Sequence, residues 1–387
     1  MKKCIALALL FILITSGCSK RLMEQETPMD DWLKTAKLNA EESSEDLYAA
    51  ALKEDTLVIY STSTRMMDAA KSFEKQYGGL TVRVEDVREG ELYDQLIKNY
   101  NTGNFICDVI VSSDGRGIMT NEFLQKGIAV KYVPYDLKDK ILPGNNEDLL
   151  MLAGEAVVLT YNTLYYSEPP IHNWWELTEE KWLDVVYLPN PAKSVTTLGF
   201  LAMFIKNGEI MARTYEDLYG EPLEVPPGEN AGQVFIRRLV DNGAVIVNSS
   251  DEVYEEIGSP GSHSPAIGIM ASSKVRFRDI GYEMAVNYDM GPFCGVYAPI
   301  SIMIAGGSKN INAAKLYIRW VLGETDGRGE GYKPYLQSGA WSVRNDVSDD
   351  TGVRTEELNL LSLDRSYMYE NEESVLSFWE GLMKNRQ

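Results

Sequence analysis

Serine and threonine residues crowd together just after five apolar stretches of this 387-residue chain, each time beside a charged residue. Ser61-Thr62-Ser63-Thr64-Arg65 follows Leu57–Tyr60, and Ser112-Ser113-Asp114-Gly115-Arg116 follows Val109–Val111. Lys193-Ser194-Val195-Thr196-Thr197 follows Tyr187-Leu188 and a Pro-Asn-Pro turn. Asn248-Ser249-Ser250-Asp251 follows Val245–Val247, and Ser272-Ser273-Lys274 follows Ala266–Ala271. Hydroxyls beside the unpaired amides of helix N-termini are good partners for a carboxylate, a phosphate or another anion. The same residues are preferred helix N-caps, a role that needs no ligand. Five clusters at equivalent strand ends point past capping alone, to a cleft that binds something polar. The candidate ligand-binding set is Ser61, Thr62, Thr64, Arg65, Ser112, Ser113, Asp114, Ser194, Thr196, Thr197, Ser249, Ser250 and Ser272, with Lys193 as a further countercharge.

Other chemistries have little to work with. Two histidines in the whole chain leave little room for a catalytic triad or a histidine-based metal site. Ser262-His263-Ser264 sets a nucleophile beside a base, but sequence neighbours rarely meet in triad geometry and no G-x-S-x-G surrounds them. Gly327-Arg328-Gly329-Glu330-Gly331 follows a helix instead of a strand, so it reads as a loop and no phosphate cradle. There is no Walker motif, dinucleotide fingerprint or clustered Cys/His spacing. No catalytic residue, cofactor or resident metal is expected.

The hydroxyl clusters need elements to hold them. Leu57–Tyr60 reads as a strand, Met66–Tyr77 as a helix with Ala70, Phe73 and Tyr77 on one face, and Leu80, Val82 and Val84 alternate as a strand. Glu91–Asn99 reads as a helix, Val109–Val111 as a buried strand and Ile118–Leu124 as a helix. This rhythm predicts an α/β domain with a mostly parallel sheet. Val157–Tyr161 begins a second stretch, with helices over Gly199–Ile205 and Val234–Val240 and a strand over Ala266–Ala271. Ile300–Ala305 reads as a later strand, followed by a helix with Ala314, Tyr317, Ile318 and Val321 on one face. In open α/β sheets ligands gather beyond the carboxyl ends of strands, which is where the clusters lie.

Charge and the N-terminus set the context. The chain has 37 basic and 57 acidic residues, a net −20, which repels phosphate backbones and excludes a general nucleic-acid binder. Lys2 and Lys3 precede an apolar run from Cys4 to Ile14, followed by Thr15-Ser16-Gly17-Cys18. That run is too short to span a bilayer and reads as a secretory signal. The cysteine after Ser16-Gly17 resembles a bacterial lipobox, in which Cys18 carries lipid. The expected organisation is a signal peptide over 1–17, a lipid-anchored tether over 18–40, a first lobe over 41–155 plus 293–340, and a second over 156–292 plus 341–387. Outside the cytoplasm, Cys107 and Cys294 are left either to form a disulfide or to remain buried thiols.

Several segments in order are similar to one family. Leu57-Val58-Ile59-Tyr60-Ser61, Phe73-Glu74-Lys75-Gln76-Tyr77 and Cys107-Asp108-Val109-Ile110-Val111-Ser112-Ser113-Asp114 resemble the opening of ferric-iron-type solute-binding proteins. Thr160-Tyr161-Asn162-Thr163, Trp175-Glu176-Leu177 and Lys181-Trp182 through Pro189-Asn190-Pro191 resemble its crossover into the second lobe. Asn312-Ala313-Ala314-Lys315 and Ser342-Val343-Arg344-Asn345-Asp346-Val347 resemble its closing segment. The resemblance implies a two-lobed periplasmic-binding-protein clamshell of type II, with hinge crossovers and a sheet flanked by helices in each lobe. It implies a lipid-anchored, extracytoplasmic and monomeric capture subunit that binds a small-molecule solute and partners an ABC permease and ATPase. Iron-binding members carry adjacent tyrosines after the strand matching Ala266–Ala271, where this chain has Ser272-Ser273-Lys274. An organic anion bearing phosphate or phosphonate is therefore expected ahead of ferric iron or its chelate. The alternative is a lipid-anchored surface sensor that reuses the fold.

Overall fold

A computed structural model describes residues 28–386. The signal sequence, Cys18 and the first part of the tether lie outside the described residues. Strands β1 (Leu57–Ser61), β2 (Val82–Asp86), β3 (Val109–Ser112), β4 (Ala129–Val130) and β5 (Leu150–Ala153) come first. Next are β6 (Ala156–Asn162), β7 (Val186–Pro189), β8 (Val245–Val247), β9 (Ile267–Ala271), β10 (Met284–Val286) and β11 (Gly295–Tyr297). β12 (Ile300–Ala305) and β13 (Leu360–Ser362) complete the set among the described residues.

These strands form two sheets, one in each lobe. The first runs β2-β1-β3-β12-β4 with β5 also on β12, and the second runs β13-β11-β6-β9-β7-β8 with β10 on β6. The expected mostly parallel sheets are in fact mixed. β1, β2 and β3 pair in parallel, while β12 is antiparallel to β3, β4 and β5. In the second sheet β7 is parallel to β8 and β9, and β6 is antiparallel to β9, β10 and β11. The cause is the hinge. β6 and β12 enter their sheets directly from crossovers and run away from the cleft. β1, β3, β7 and β9 run towards it, so their carboxyl ends deliver the hydroxyl clusters.

The crossovers are residues 154–155, 298–299 and the segment 348–359, and they are tied together. Ala298 N donates to Glu155 O at 2.8 Å, Gly154 and Trp341 exchange backbone bonds of 2.8 and 2.9 Å, and Trp341 Nε1 donates to Val353 O of the third crossover at 2.8 Å. Each lobe has its own core, one around Phe73, Val109 and Tyr317, the other around Trp174, Phe204 and Phe235. Cys107 lies in the first core and Cys294 in the second, both as free thiols. Two boundaries shift from expectation. Residues 295–297 belong to the second sheet, and Val343 packs in the first core. The end of the expected tether is also structured, because Pro28–Ala36 is a helix whose Trp32 Nε1 donates to Ser308 O at 2.8 Å.

Local sequence explains how helices of both lobes are set in place. Met66, Ala69, Ala70 and Phe73 recur at helical spacing and bury one face of the helix Met66–Gln76. The helix Ala231–Asp241 begins with an Asn230/Gln233 capping box. Its Gly232 backs onto the carbonyl of Phe204, where an added Cβ would lie 2.1 Å from the oxygen. Only glycine allows this helix to approach the helix Val195–Lys206, which carries Phe204, so closely.

Candidate functional site

A cleft of 830 Å³ opens between the lobes. Thr62, Thr64, Arg65 and Ser113 of the first lobe line it, as do Ser194, Thr196, Ser249 and Ser250 of the second. These eight members of the sequence-derived set converge on one space. The other five lie beneath it and hold the scaffold. Ser61 Oγ accepts from Ser63 N at 3.0 Å and donates to Ser63 O at 2.9 Å, closing its own turn. Ser112 Oγ accepts from Asp114 N at 3.0 Å. Asp114 caps the helical segment that starts at Met119, accepting from Met119 N at 2.9 Å and from Thr120 N at 3.0 Å. Thr197 Oγ1 donates to Ser194 Oγ at 2.9 Å. Ser272 Oγ accepts from Ala156 N at 3.1 Å and donates to Gly339 O at 2.5 Å, joining the second lobe to the hinge.

Two of the lining hydroxyls are also helix caps. Ser194 Oγ accepts from Thr197 N at 3.2 Å, and Ser249 Oγ from Glu252 N at 3.3 Å. Ser194 accepts twice, from Thr197 N and Oγ1, and Ser249 once, and each still has its O–H to donate. Two helix N-termini of the second lobe thus face the cleft together with the strand ends of the first.

The cleft's charges differ from those of the whole chain. Arg65, Arg88, Arg116, Lys193, Lys274 and Arg276 line it against Asp86, Glu89, Glu91, Glu155, Asp251 and Glu372. This space is balanced in a protein of net −20, so an anion meets far less repulsion here than elsewhere on the surface. Three of the bases are paired: Arg65 with Glu155, Arg116 with Glu372 at 2.8 Å and Lys274 with Asp251 at 2.6 Å. Lys193 Nζ donates to Asn248 Oδ1 at 2.9 Å. Among the described residues, Arg88, Lys193 and Arg276 have no carboxylate within ion-pair reach. No group of three His, Cys, Asp or Glu among the described residues could hold a metal ion. Tyr165 is exposed and Tyr166 OH donates to Pro265 O at 2.8 Å, outside the cleft lining.

Glu89 sits under the first-lobe wall. It accepts from Gly115 N at 2.7 Å, from Ser112 Oγ at 3.2 Å and from Tyr93 OH. Burial pushes its carboxyl above the ordinary value of 4.5, with neighbouring Asp114 adding to the rise. The folded state therefore holds this proton more tightly than the unfolded chain does. Stability from this group is complete below the ordinary value and declines as pH rises towards the folded value. Glu89→Gln is expected to gain on the native chain as pH rises above 4.5 in urea denaturation across pH 4 to 8. A difference that is constant across that range would contradict this assignment.

The C-terminal helix Arg365–Asn385 forms a further wall. Met368, Val375 and Trp379 bury it in the second-lobe core. Its first turns also reach the first lobe. Arg365 Nη2 donates to Ser113 O at 3.2 Å, Ser366 Oγ to Asn121 Oδ1 at 3.1 Å and Tyr369 OH to Glu122 Oε2 at 3.3 Å.

Sequence reading missed Ser63, Ser273, Arg276 and Glu155. Ser273 Oγ donates to Glu155 Oε2 at 3.0 Å, and Arg276 Nη1 donates to Ser273 O at 2.6 Å. The available signal was the basic residue three positions after Ser273. Ser272–Ile280 is a 3₁₀ helix, in which positions i and i+3 stack on one face.

Residues 57–326 match the sequence model of a family described as bacterial extracellular solute-binding protein. Iron-bound HitA from Pseudomonas aeruginosa superposes with a TM-score of 0.64 at 17% identity, over 85% of this chain and 99% of that one. The substrate-binding protein of an ABC transporter from Agrobacterium tumefaciens gives 0.63 at 14% identity, over 85% and 94%. AfuA from Actinobacillus pleuropneumoniae, with exogenous fructose-6-phosphate bound, gives 0.59 at 17% identity, over 85% and 99%. No curated protein sequence matches the chain.

Proposed function

The chain belongs to the bacterial extracellular solute-binding proteins, and from that premise we propose that its cleft captures a small organic anion for an ABC importer. The observation that carries this reading is the composition of the cleft. Hydroxyls from both lobes, two helix N-termini and three basic side chains without a carboxylate partner supply hydrogen-bond donors and positive charge. Ferric iron requires hard anionic oxygen ligands, and no group of three His, Cys, Asp or Glu among the described residues is gathered to supply them. The likeness to a fructose-6-phosphate-bound structure supports a phosphorylated solute, and the likeness to an ABC transporter component supports delivery to a permease. Lipid on Cys18 would hold the protein at the outer face of the membrane. Cys18→Ser is expected to abolish palmitate incorporation and to release the chain from the membrane fraction. Retention there would contradict the anchor.

Thermal unfolding of the full chain against a charge-matched panel tests the ligand class. Organic phosphates, phosphonates and carboxylates are set against polyamines and ferric citrate. A true ligand at 100 times its Kd adds about 2.7 kcal/mol of stability, a shift that is easily read. Stabilisation by an organic anion is expected, and stabilisation by a polyamine or ferric citrate alone would overturn the reading. Ser194→Ala is expected to weaken binding of the stabilising anion by about 10- to 100-fold, since a hydrogen bond to a charged group contributes about 1.5–3 kcal/mol. Unchanged affinity would remove Ser194 from the site.

A further inference from the structure

Arg65 stands at the start of the helix Met66–Gln76 and is only 8% exposed. Its Nε donates to Ser63 Oγ at 3.3 Å, its Nη2 pairs with Glu155, and its plane lies over the Tyr335 ring at 4.6 Å. Its Nη1 is buried with no hydrogen-bond partner among the described residues. An unmet guanidinium donor removed from water is costly, and in a binding cleft it marks the place of an absent acceptor.

Arg276 approaches from the other lobe. It is joined to Arg65 through a polar chain, from Arg65 to Glu155, to Ser273, and from the Ser273 carbonyl to Arg276. Arg276 has no carboxylate within ion-pair reach among the described residues, and its guanidinium packs on Phe277 at 4.6 Å. Its pKa is lowered, first by burial and next by the charge of Arg65, so the two guanidiniums feel one another. Both side chains line the main cleft and also a groove of 600 Å³ that continues behind it. Glu155 pairs with Arg65, while Glu155 and Asp251 act on Arg276 only from beyond ion-pair reach, so the Arg276 guanidinium has no carboxylate bound to it.

Resting on the organic-anion reading above, we propose that the solute carries a phosphoryl-type group and that this group is held by Arg65 Nη1 and Arg276, one from each lobe. A carboxylate offers two oxygens, whereas this seat presents Arg65 Nη1, the Arg276 guanidinium and the Ser63 and Thr64 hydroxyls. A group with three terminal oxygens satisfies more of those donors, and bidentate guanidinium pairing suits its geometry. Because the two arginines belong to different lobes, the anion links the lobes as it binds.

Arg276 is the residue to change, because Arg65 is also needed by buried Glu155. Calorimetric titrations use the full chain with inorganic phosphate and with acetate, for the native protein, Arg276→Gln and Arg276→Lys. The native chain is expected to bind phosphate saturably and more tightly than acetate. Arg276→Gln should weaken phosphate by about 10- to 100-fold, and Arg276→Lys should recover part of the loss, with melting temperatures unchanged. Phosphate affinity equal to native in Arg276→Gln would overturn the seat, as would no phosphate binding by the native chain. Acetate bound as tightly as phosphate would overturn the phosphoryl assignment. An organic anion that stabilises native and Arg276→Gln chains equally would remove the seat and leave the wider reading standing. Stabilisation by no anion at all would remove both.

Discussion

Arg65→Met is expected to destabilise the fold by about 3–5 kcal/mol and to abolish solute binding, whereas the double change Arg65→Met with Glu155→Gln regains most of the stability and none of the binding. The Arg65 and Glu155 side chains are 8% and 11% exposed, so they have left water together. Removing one leaves the other as an uncompensated buried charge, and that cost far exceeds the net worth of the pair. Glutamine at 155 carries no charge and still accepts from Ser273, whose bond to Glu155 is 3.0 Å. The double variant therefore separates what Arg65 does for the hinge from what it does for the solute. Urea denaturation reads the first and titration with the stabilising anion reads the second. Recovery of binding in the double variant would show that Arg65 only props the hinge.

Trp379→Ala is the second large effect, expected to cost about 3–5 kcal/mol of stability. Trp379 is 2% exposed in the second-lobe core, and its Nε1 donates to Asn190 Oδ1 at 3.2 Å. Asn190 organises the loop that carries the cleft's hydroxyls. Its carbonyl accepts from Lys193 N and Ser194 N, both at 2.9 Å, and its side chain from Ala192 N at 3.0 Å. Loss of the indole therefore loosens the turn that aims Ser194 and Lys193, and weaker solute binding should accompany the lost stability. Trp379→Phe removes the N–H and part of the ring while keeping an aromatic side chain in the core, so it should cost about 1–3 kcal/mol, less than Trp379→Ala. If Trp379→Ala unfolds at the native urea midpoint, the C-terminal helix does not support this wall.

The places where sequence reading succeeded and failed have physical causes. Strand ends are legible because apolar runs must be buried and hydroxyls collect where the chain leaves them. That logic brought Thr62, Ser113, Ser194 and Ser249 to one cleft. It could not separate them from Ser61, Ser112 and Ser272, because a hydroxyl after a strand can close its own turn or face outwards. Only the backbone geometry of each turn decides, and these three hydroxyls are consumed locally or at the hinge. Strand direction was illegible for a related reason. A run such as Ile300–Ala305 looks the same whether it enters the sheet from the cleft or from the far side. The clustered-hydroxyl signal also passed over Arg276, which reaches the cleft through a 3₁₀ turn instead of a strand end. The double duty of the C-terminal helix depended on contacts of Arg365, Ser366 and Tyr369 more than 240 residues away in sequence, which no local pattern encodes.

The most direct measurement is a native mass spectrum of the chain purified from the envelope fraction without chelator, followed by negative-ion analysis of what it releases on denaturation. One phosphorus-bearing organic anion per chain is predicted, absent from the Arg65→Met, Glu155→Gln double variant. Release of iron or a polyamine in that stoichiometry would contradict the account.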